Sequence, residues 1–239
     1  KRTSHGVILG QGGIKMSKSK GNVIVPDQVG SVYGADTLRV YEMFMGPFSE
    51  TIAWDDKGVK GARRFLDKVW KLFEERQASN TKQANPKIEK LLHKTIKKVS
   101  EDIENLRFNT AVSALMVLVN EMFAGKEGLT KDNLKTLLLL LAPFAPHLAE
   151  ELWGRLGQKN SIHLQGWPKY DPRLIKEDTF ILVVQVSGRV RDKVEALSGI
   201  SEKEARDLAI SSERVKKWVE GKTIKKVVFV QDKLINIVI

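Results

Sequence analysis

The apolar positions of this chain change their spacing twice. Up to residue 56 they come in short runs, Val7-Ile8-Leu9 and Val23-Ile24-Val25, separated by Gly10-Gln11-Gly12-Gly13 and a Lys/Ser-rich stretch and closed by Pro26. Such runs read as short strands and turns. The segment has too few periodic apolar positions for a core of its own and reads as an incomplete piece of a larger domain. From residue 57 the spacing becomes three and four. Val59, Ala62, Phe65, Leu66, Val69, Trp70 and Phe73 mark one helix face, with Asp55 and Asp56 placed to cap its start. Asn85-Pro86 opens a second helix, whose stripe is Ile88, Leu91, Leu92, Ile96, Val99, Ile103 and Leu106. Asn109 or Thr110 is placed to cap a helix over 111–123, and Thr130 one that runs through Leu141 before Pro143 ends it. Pro146 opens a last helix to Leu156, with Gly157 as its stop, and the short links predict an antiparallel bundle.

Beyond the bundle the period shortens to two. Residues 180–186 and 189–195 flank Ser187-Gly188, a two-residue hairpin turn. Ser201-Glu202-Lys203-Glu204 is a capping box, a second short helix ends at Gly221, and strands over 222–230 and 234–239 complete a β-β-α-α-β-β unit. The stretch 165–172, with two prolines and two aromatics, marks the boundary. The expected fold is α+β in three parts: an incomplete piece over 1–56, a helical bundle over 57–170 and a small β-rich domain over 171–239.

Composition narrows the function. The longest apolar stretch, 137–145, is interrupted by Pro143 and is about half a membrane span, so no membrane partner is expected. The chain does not begin with Met and shows no leader pattern, which predicts a start inside a longer sequence or a trimmed one. With no cysteine, disulfides and thiolate chemistry are excluded, which accords with a cytoplasmic location; the four histidines show no ligand spacing, so no metal site is expected. Net charge is +11, and all of the excess lies beyond residue 56, since the opening segment carries six basic and six acidic side chains. A surplus so placed favours an anionic partner such as nucleic acid. Lysine-rich helices that merely keep a stable protein soluble are the plainer alternative.

The sharpest chemical signal is Lys15-Met16-Ser17-Lys18-Ser19, continued by Lys20-Gly21-Asn22, between glycine-rich turns and a short apolar run. Lysines on a loop that closes can engage the negative charge growing on a departing pyrophosphate more strongly than that of bound ATP. Ser17 and Ser19 add hydroxyl donors, and Gly21 lets the backbone turn tightly. An arbitrary pair of lysines beside a glycine would more often be a solvated turn.

The whole string resembles the KMSKS signature loop of class I aminoacyl-tRNA synthetases. Further blocks extend the resemblance: residues 33–39 and 54–58 are similar to the connecting region of the leucine, valine and isoleucine enzymes, and 107–111 and 142–153 to their helical anticodon-binding domain. Residues 41–47, 184–193 and 221–227 resemble the bacterial leucyl-tRNA synthetases, with Ser187 where that pattern has Asn. The resemblance implies a truncated class I catalytic piece, a bundle of anticodon-binding type and a C-terminal tRNA-binding domain. It implies that Lys18 binds the ATP phosphates, that Lys15, Met16, Ser17 and Ser19 complete that loop, and that Mg2+ arrives with ATP. The family's nucleotide-binding core, leucine pocket and editing domain would precede this loop. The chain is thus expected to act with a large catalytic subunit, or with an N-terminal portion of the same protein, on tRNA-Leu, and not to be active alone. A stand-alone tRNA-binding module without catalysis, and the equivalent part of a valyl, isoleucyl or methionyl enzyme, are the other readings.

Candidate tRNA contacts are Arg63, Arg64, Lys68 and Lys71 on one helix and Lys94, Lys97 and Lys98 on the next, each of which could equally be a solvated helix face. In the last domain Arg189 and Arg191 alternate along a hairpin strand, so both can face one ligand while Val190 points to the core. Pairing with Asp192 or Glu195 is the alternative. Lys222, Lys225 and Lys226 form a weaker patch. His147 reads as a packed or capping residue, and Trp54, Trp70, Trp153 and Trp167 as core or contact anchors.

Overall fold

The computed structural model describes residues 4–76, 84–125, 128–176 and 179–239; the first three positions of the expected opening piece lie outside them. In chain order the elements are β1 (Ile8–Leu9), α1 (Pro26–Tyr33), α2 (Ala35–Phe44), β2 (Ile52–Ala53), α3 (Asp56–Arg76), α4 (Pro86–Glu104), α5 (Phe108–Ala124), α6 (Lys131–Leu141), α7 (Pro146–Arg155), β3 (Thr179–Val186), β4 (Arg189–Leu197), α8 (Glu202–Ser211), α9 (Glu213–Val219), β5 (Lys226–Val230) and β6 (Leu234–Val238). They form two compact units, 1–175 and 176–239.

In the first unit α3 to α7 bury the stripes that the three-four spacing marks: Val59, Ala62, Leu66, Val69 and Phe73 of α3 meet Ile88, Leu92, Ile96 and Val99 of α4 and the leucines of α6 in one core. The caps are local. The Asp55 carboxylate accepts the Lys57 amide at 3.0 Å, and Asn85 accepts from the Lys87 amide at 2.9 Å. Thr130 and Asn133 form a reciprocal capping box on α6, and Gly157, at φ 75°, follows α7 in the left-handed region. The start of α5 differs from expectation. Phe108 is already helical, so Asn109 and Thr110 lie in the first turn, and the Thr110 hydroxyl bonds to Asp102 rather than capping.

The opening piece is also different from the strands and turns expected. Only two-residue strands form, β1 beside β2 in parallel, while 23–25 is not a strand and 26–44 holds α1 and α2. The buried face of α2 is Asp36, Thr37, Val40 and Tyr41, half of it polar, which hides the helical period. This piece shares the bundle's core. Tyr41 packs edge-on against Trp54, its hydroxyl accepts the Asp55 amide at 2.8 Å, and the Arg39 guanidinium donates to the Pro143 carbonyl at 2.9 Å. Gly58 lets α3 come this close, since a Cβ there would stand 2.5 Å from the Tyr41 ring. At the other end, the Trp167 indole donates to Ser100 and the Asp171 amide donates to His93, both at 2.8 Å. These bonds tie the proline-rich stretch to α4, which is why the unit extends to residue 175.

The second unit is a four-stranded sheet ordered β4-β3-β6-β5, with β3 and β6 parallel and the outer pairs antiparallel. Leu182, Val184, Val186, Ile235 and Ile237 point to one face, where Ala205, Ala209, Val215 and Val219 of α8 and α9 cover them. The Ser187-Gly188 turn has φ 47° and 80°, the positive pair that matches strand twist in a two-residue hairpin. A β-bulge opposite Val184 and Gln185 leaves Arg191 as the extra residue of β4. Among the described residues no helix is long and apolar enough to cross a membrane.

Candidate functional site

The lysine loop begins where β1 ends. The Trp54 amide donates to the Leu9 carbonyl at 2.9 Å, which fixes the root of the loop beside the start of α3. Gln11 reaches across to the Asp56 carboxylate, whose other oxygen accepts from the Trp54 indole at 2.9 Å. Residues 18–20 form a single 3-10 turn; Ser17 accepts the Lys20 amide on its hydroxyl, and Gly21, at φ 63°, turns the chain out. Asn22 closes the loop on itself. Its side chain accepts from the Ser17 amide at 2.9 Å and donates to the Lys15 carbonyl at 3.2 Å. A Cβ on Gly10 would press on that same amide at 3.2 Å.

Thus the backbone of 15–22 is held while its lysine side chains stay outside. Lys15, Lys18, Ser19 and Lys20 are exposed, Met16 and Ser17 half-buried, and the Ser17 and Ser19 hydroxyls lie 3.1 Å apart. Among the described residues no carboxylate lies within ion-pair distance of the ammonium groups of Lys15, Lys18 and Lys20. Concentrated positive charge without an internal counter-ion, on a loop with fixed ends, is suited to an external polyanion. No cluster of His, Asp and Glu able to hold a metal is present among the described residues.

The remaining basic candidates fall into groups. Arg63 is committed to Asp67 at 2.8 Å and to the Tyr33 carbonyl at 3.1 Å, on the wall of a cleft of about 480 Å³ that Asp36, Trp70 and His147 also line. Arg64 is exposed beside it. Lys68 donates to Asn120 and, with Lys71, lies over the Phe123 ring. Lys94 is half-buried on α4; Lys97 approaches Glu101 and the Tyr170 ring. Lys98 is paired with Asp102.

Asp102 is a hub that sequence reasoning missed. It is 1% exposed and also takes Arg107 at 2.8 Å and the Thr110 hydroxyl at 2.6 Å. Burial works to raise its pKa, but the bonds from Lys98, Thr110 and Arg107 outweigh it and hold the carboxyl below the usual aspartate range. His147 caps nothing; its ring is exposed, and Asp36 holds it and the start of α7.

In the second unit the hairpin corrects an expectation. Val190 pairs with Gln185 and is 53% exposed on the uncovered sheet face, while Arg191 turns to the helix side, its guanidinium 3.4 Å from the centroid of the Trp218 ring. The core lies on the arginines' side of the sheet because only that face carries helices. Arg189 is exposed and pairs with Val186 across the turn; Asp192 goes instead to Ser212 and Arg214. Lys222, Lys225 and Lys226 are exposed at the approach to β5. Trp218, which the spacing did not single out, is the aromatic of this surface.

The bundle with its basic side chains and the piece that presents the lysine loop each match a known family. Residues 85–205 match the anticodon-binding domain of tRNA ligase, and residues 2–55 match the class I tRNA synthetases for I, L, M and V. The chain belongs to this tRNA ligase family. Among solved structures it is similar to the LeuRS of Agrobacterium radiobacter in its LeuRS–tRNA–LeuAMS complex, at TM-score 0.83 and 29% identity, covering 98% of this chain and 33% of that one. The Mycobacterium tuberculosis methionyl-tRNA synthetase in complex with methionyl-adenylate shares the fold at TM-score 0.51 and 20% identity, over 65% of this chain and 38% of that one. The chain thus spans about a third of the length of the LeuRS it matches.

Proposed function

We propose that this chain is the loop-bearing and tRNA-binding part of a cytoplasmic leucine–tRNA ligase, which acts with a nucleotide-binding core supplied as a separate subunit or as the rest of the same protein. The observation that carries the reading is the latched loop with its uncompensated lysines. In amino-acid activation the leucine carboxylate attacks the α-phosphorus of ATP, and the bond to the bridging oxygen breaks as pyrophosphate leaves. Negative charge grows on that oxygen and on the β- and γ-phosphates. Lys18 and Lys15 would meet this charge with preorganised ammonium groups, and the Ser17 and Ser19 hydroxyls would add donors. The ionisable side chains of the loop are all lysines, so it suits phosphate oxygens; Mg2+ travels with ATP and neutralises the same phosphates when bound. The basic faces of α3 and α4 and the arginines of β4 would hold the tRNA backbone without reading sequence.

The test is leucine-dependent ATP–pyrophosphate exchange by this chain combined with the core portion of a leucyl enzyme. Exchange is expected only in the combination, and Lys18→Ala should lower it by roughly 10²–10³-fold with tRNA affinity retained. Full exchange by the Lys18→Ala combination would remove the loop from the reaction. Exchange restored with the core of a valyl or methionyl enzyme, and not with that of a leucyl enzyme, would refute the leucyl assignment.

A further inference from the structure

We infer that Arg191 and Trp218 form a stacking site for one unpaired RNA nucleotide, an assignment that rests on the tRNA-binding reading above. Trp218 lies on α9 and stays 41% exposed, although the apolar face of α9 has covered neighbours in Val215 and Val219. The Arg191 guanidinium is centred 3.4 Å from its ring centroid, close enough for planar stacking rather than a distant charge contact.

What singles out this pair is the missing acceptor. The Nε of Arg191 is buried without a hydrogen-bond partner, and among the described residues no protein acceptor reaches its other nitrogens. The adjacent carboxylate is already used: Asp192 accepts from the Ser212 hydroxyl, the Lys193 amide at 2.8 Å and Arg214 at 3.4 Å. A guanidinium held against an indole, with no protein acceptor on its terminal amino groups, matches a phosphate, which those groups can grip with parallel N–H bonds. Arg189, two residues earlier on the strand, adds further positive charge beside it.

The open part of the indole supplies the second half of the site. A base can lie against it only when its own faces are free, which excludes paired nucleotides and selects loops and single strands. Alternation along β4 sets Arg191 opposite Val190, on the face that α9 covers, and the bulge leaves it without a cross-strand partner. An acidic protein segment could satisfy the arginines but would leave the exposed indole without a partner.

The experiment measures the affinity of the full chain for a tRNA-Leu transcript, and for a short single-stranded RNA, at fixed salt. Trp218→Leu stays apolar and removes the ring face, Trp218→Phe keeps a ring face, and Arg191→Lys keeps charge but loses the planar fork. We expect Trp218→Leu and Arg191→Lys each to weaken binding by about tenfold, with Trp218→Phe close to the parent and a blunt RNA duplex unable to compete. Thermal melting of each variant at the parent temperature would exclude a folding defect; if Trp218→Leu melts low, Arg191→Lys and Trp218→Phe decide alone. Parent-like tRNA affinity in both Trp218→Leu and Arg191→Lys would overturn the site while leaving the tRNA reading intact. Failure of the parent chain to bind tRNA would overturn both. Displacement of the RNA by an acidic peptide, with Trp218→Leu and Trp218→Phe indistinguishable, would reassign the pocket to carboxylates.

Discussion

The Asp36 carboxylate and the His147 ring meet at 2.7 Å although 111 positions separate them, and the same carboxylate accepts the Leu148 amide, also at 2.7 Å. Asp36 therefore caps α7 from a different helix. The bond to the ring is the outer one, since the His147 side chain is 76% exposed. Asp36→Ala should lower stability by about 1–2 kcal/mol, the usual range for a lost N-cap, and His147→Ala by much less. Urea unfolding midpoints of the two variants check this; equal losses would mean that the ring, not the backbone cap, matters.

Asp102 gives a pH-dependent prediction. Its carboxyl is held below the ordinary aspartate range, so its contribution is complete above that range and is lost as pH falls through the folded-state value. The melting temperature should fall on acidification, and Asp102→Asn should flatten that fall. Asp102→Ala, which leaves Thr110 and Arg107 without their buried acceptor, should cost about 2–3 kcal/mol at neutral pH. A melting curve of Asp102→Asn that keeps the parent's acid slope would show that another group sets it.

Asn22 is expected to hold the loop's shape rather than to touch phosphate. Asn22→Ala removes both of its bonds and should speed tryptic cleavage after Lys15, Lys18 and Lys20. Asn22→Asp keeps the acceptor for the Ser17 amide, loses the donor to the Lys15 carbonyl and should fall between. In the complete ligase the same order should appear in pyrophosphate exchange. Unchanged proteolysis in Asn22→Ala would show that the latch is dispensable.

Two cations on neighbouring helices should behave in opposite ways. Arg64 is exposed, and Arg64→Ala should weaken tRNA binding and reduce the slope of log affinity against log salt by about 1. Lys98 is paired with Asp102, so Lys98→Ala should lower the melting temperature and leave the salt slope unchanged. The reverse pattern would exchange their roles.

The bundle was legible because α3, α4 and α6 each bury one apolar stripe, so spacing alone marked the face. The loop stood out for another reason: its lysines and serines lie in one contiguous string. α1 and α2 were not, since a helix that buries Asp36 and Thr37 has no apolar period to detect. Nor were the contacts of Asp102, Asp36 and Asn22, because a carboxylate or amide carries no mark of the partner it will meet. Trp218 escaped for a geometric reason. Strict alternation along β4 sets Arg191 and Val190 on opposite faces, but does not say which face the helices cover or that a bulge falls there.

Asp56 belongs to two structures at once, as the first residue of α3 and as the anchor of Gln11 at the root of the lysine loop. The first turn of α3 is therefore also where the loop is moored. The exposed Arg64 stands two turns along that same helix, so one carboxylate is the common anchor of the helix start and of the root of the loop, and a change at Asp56 reaches both.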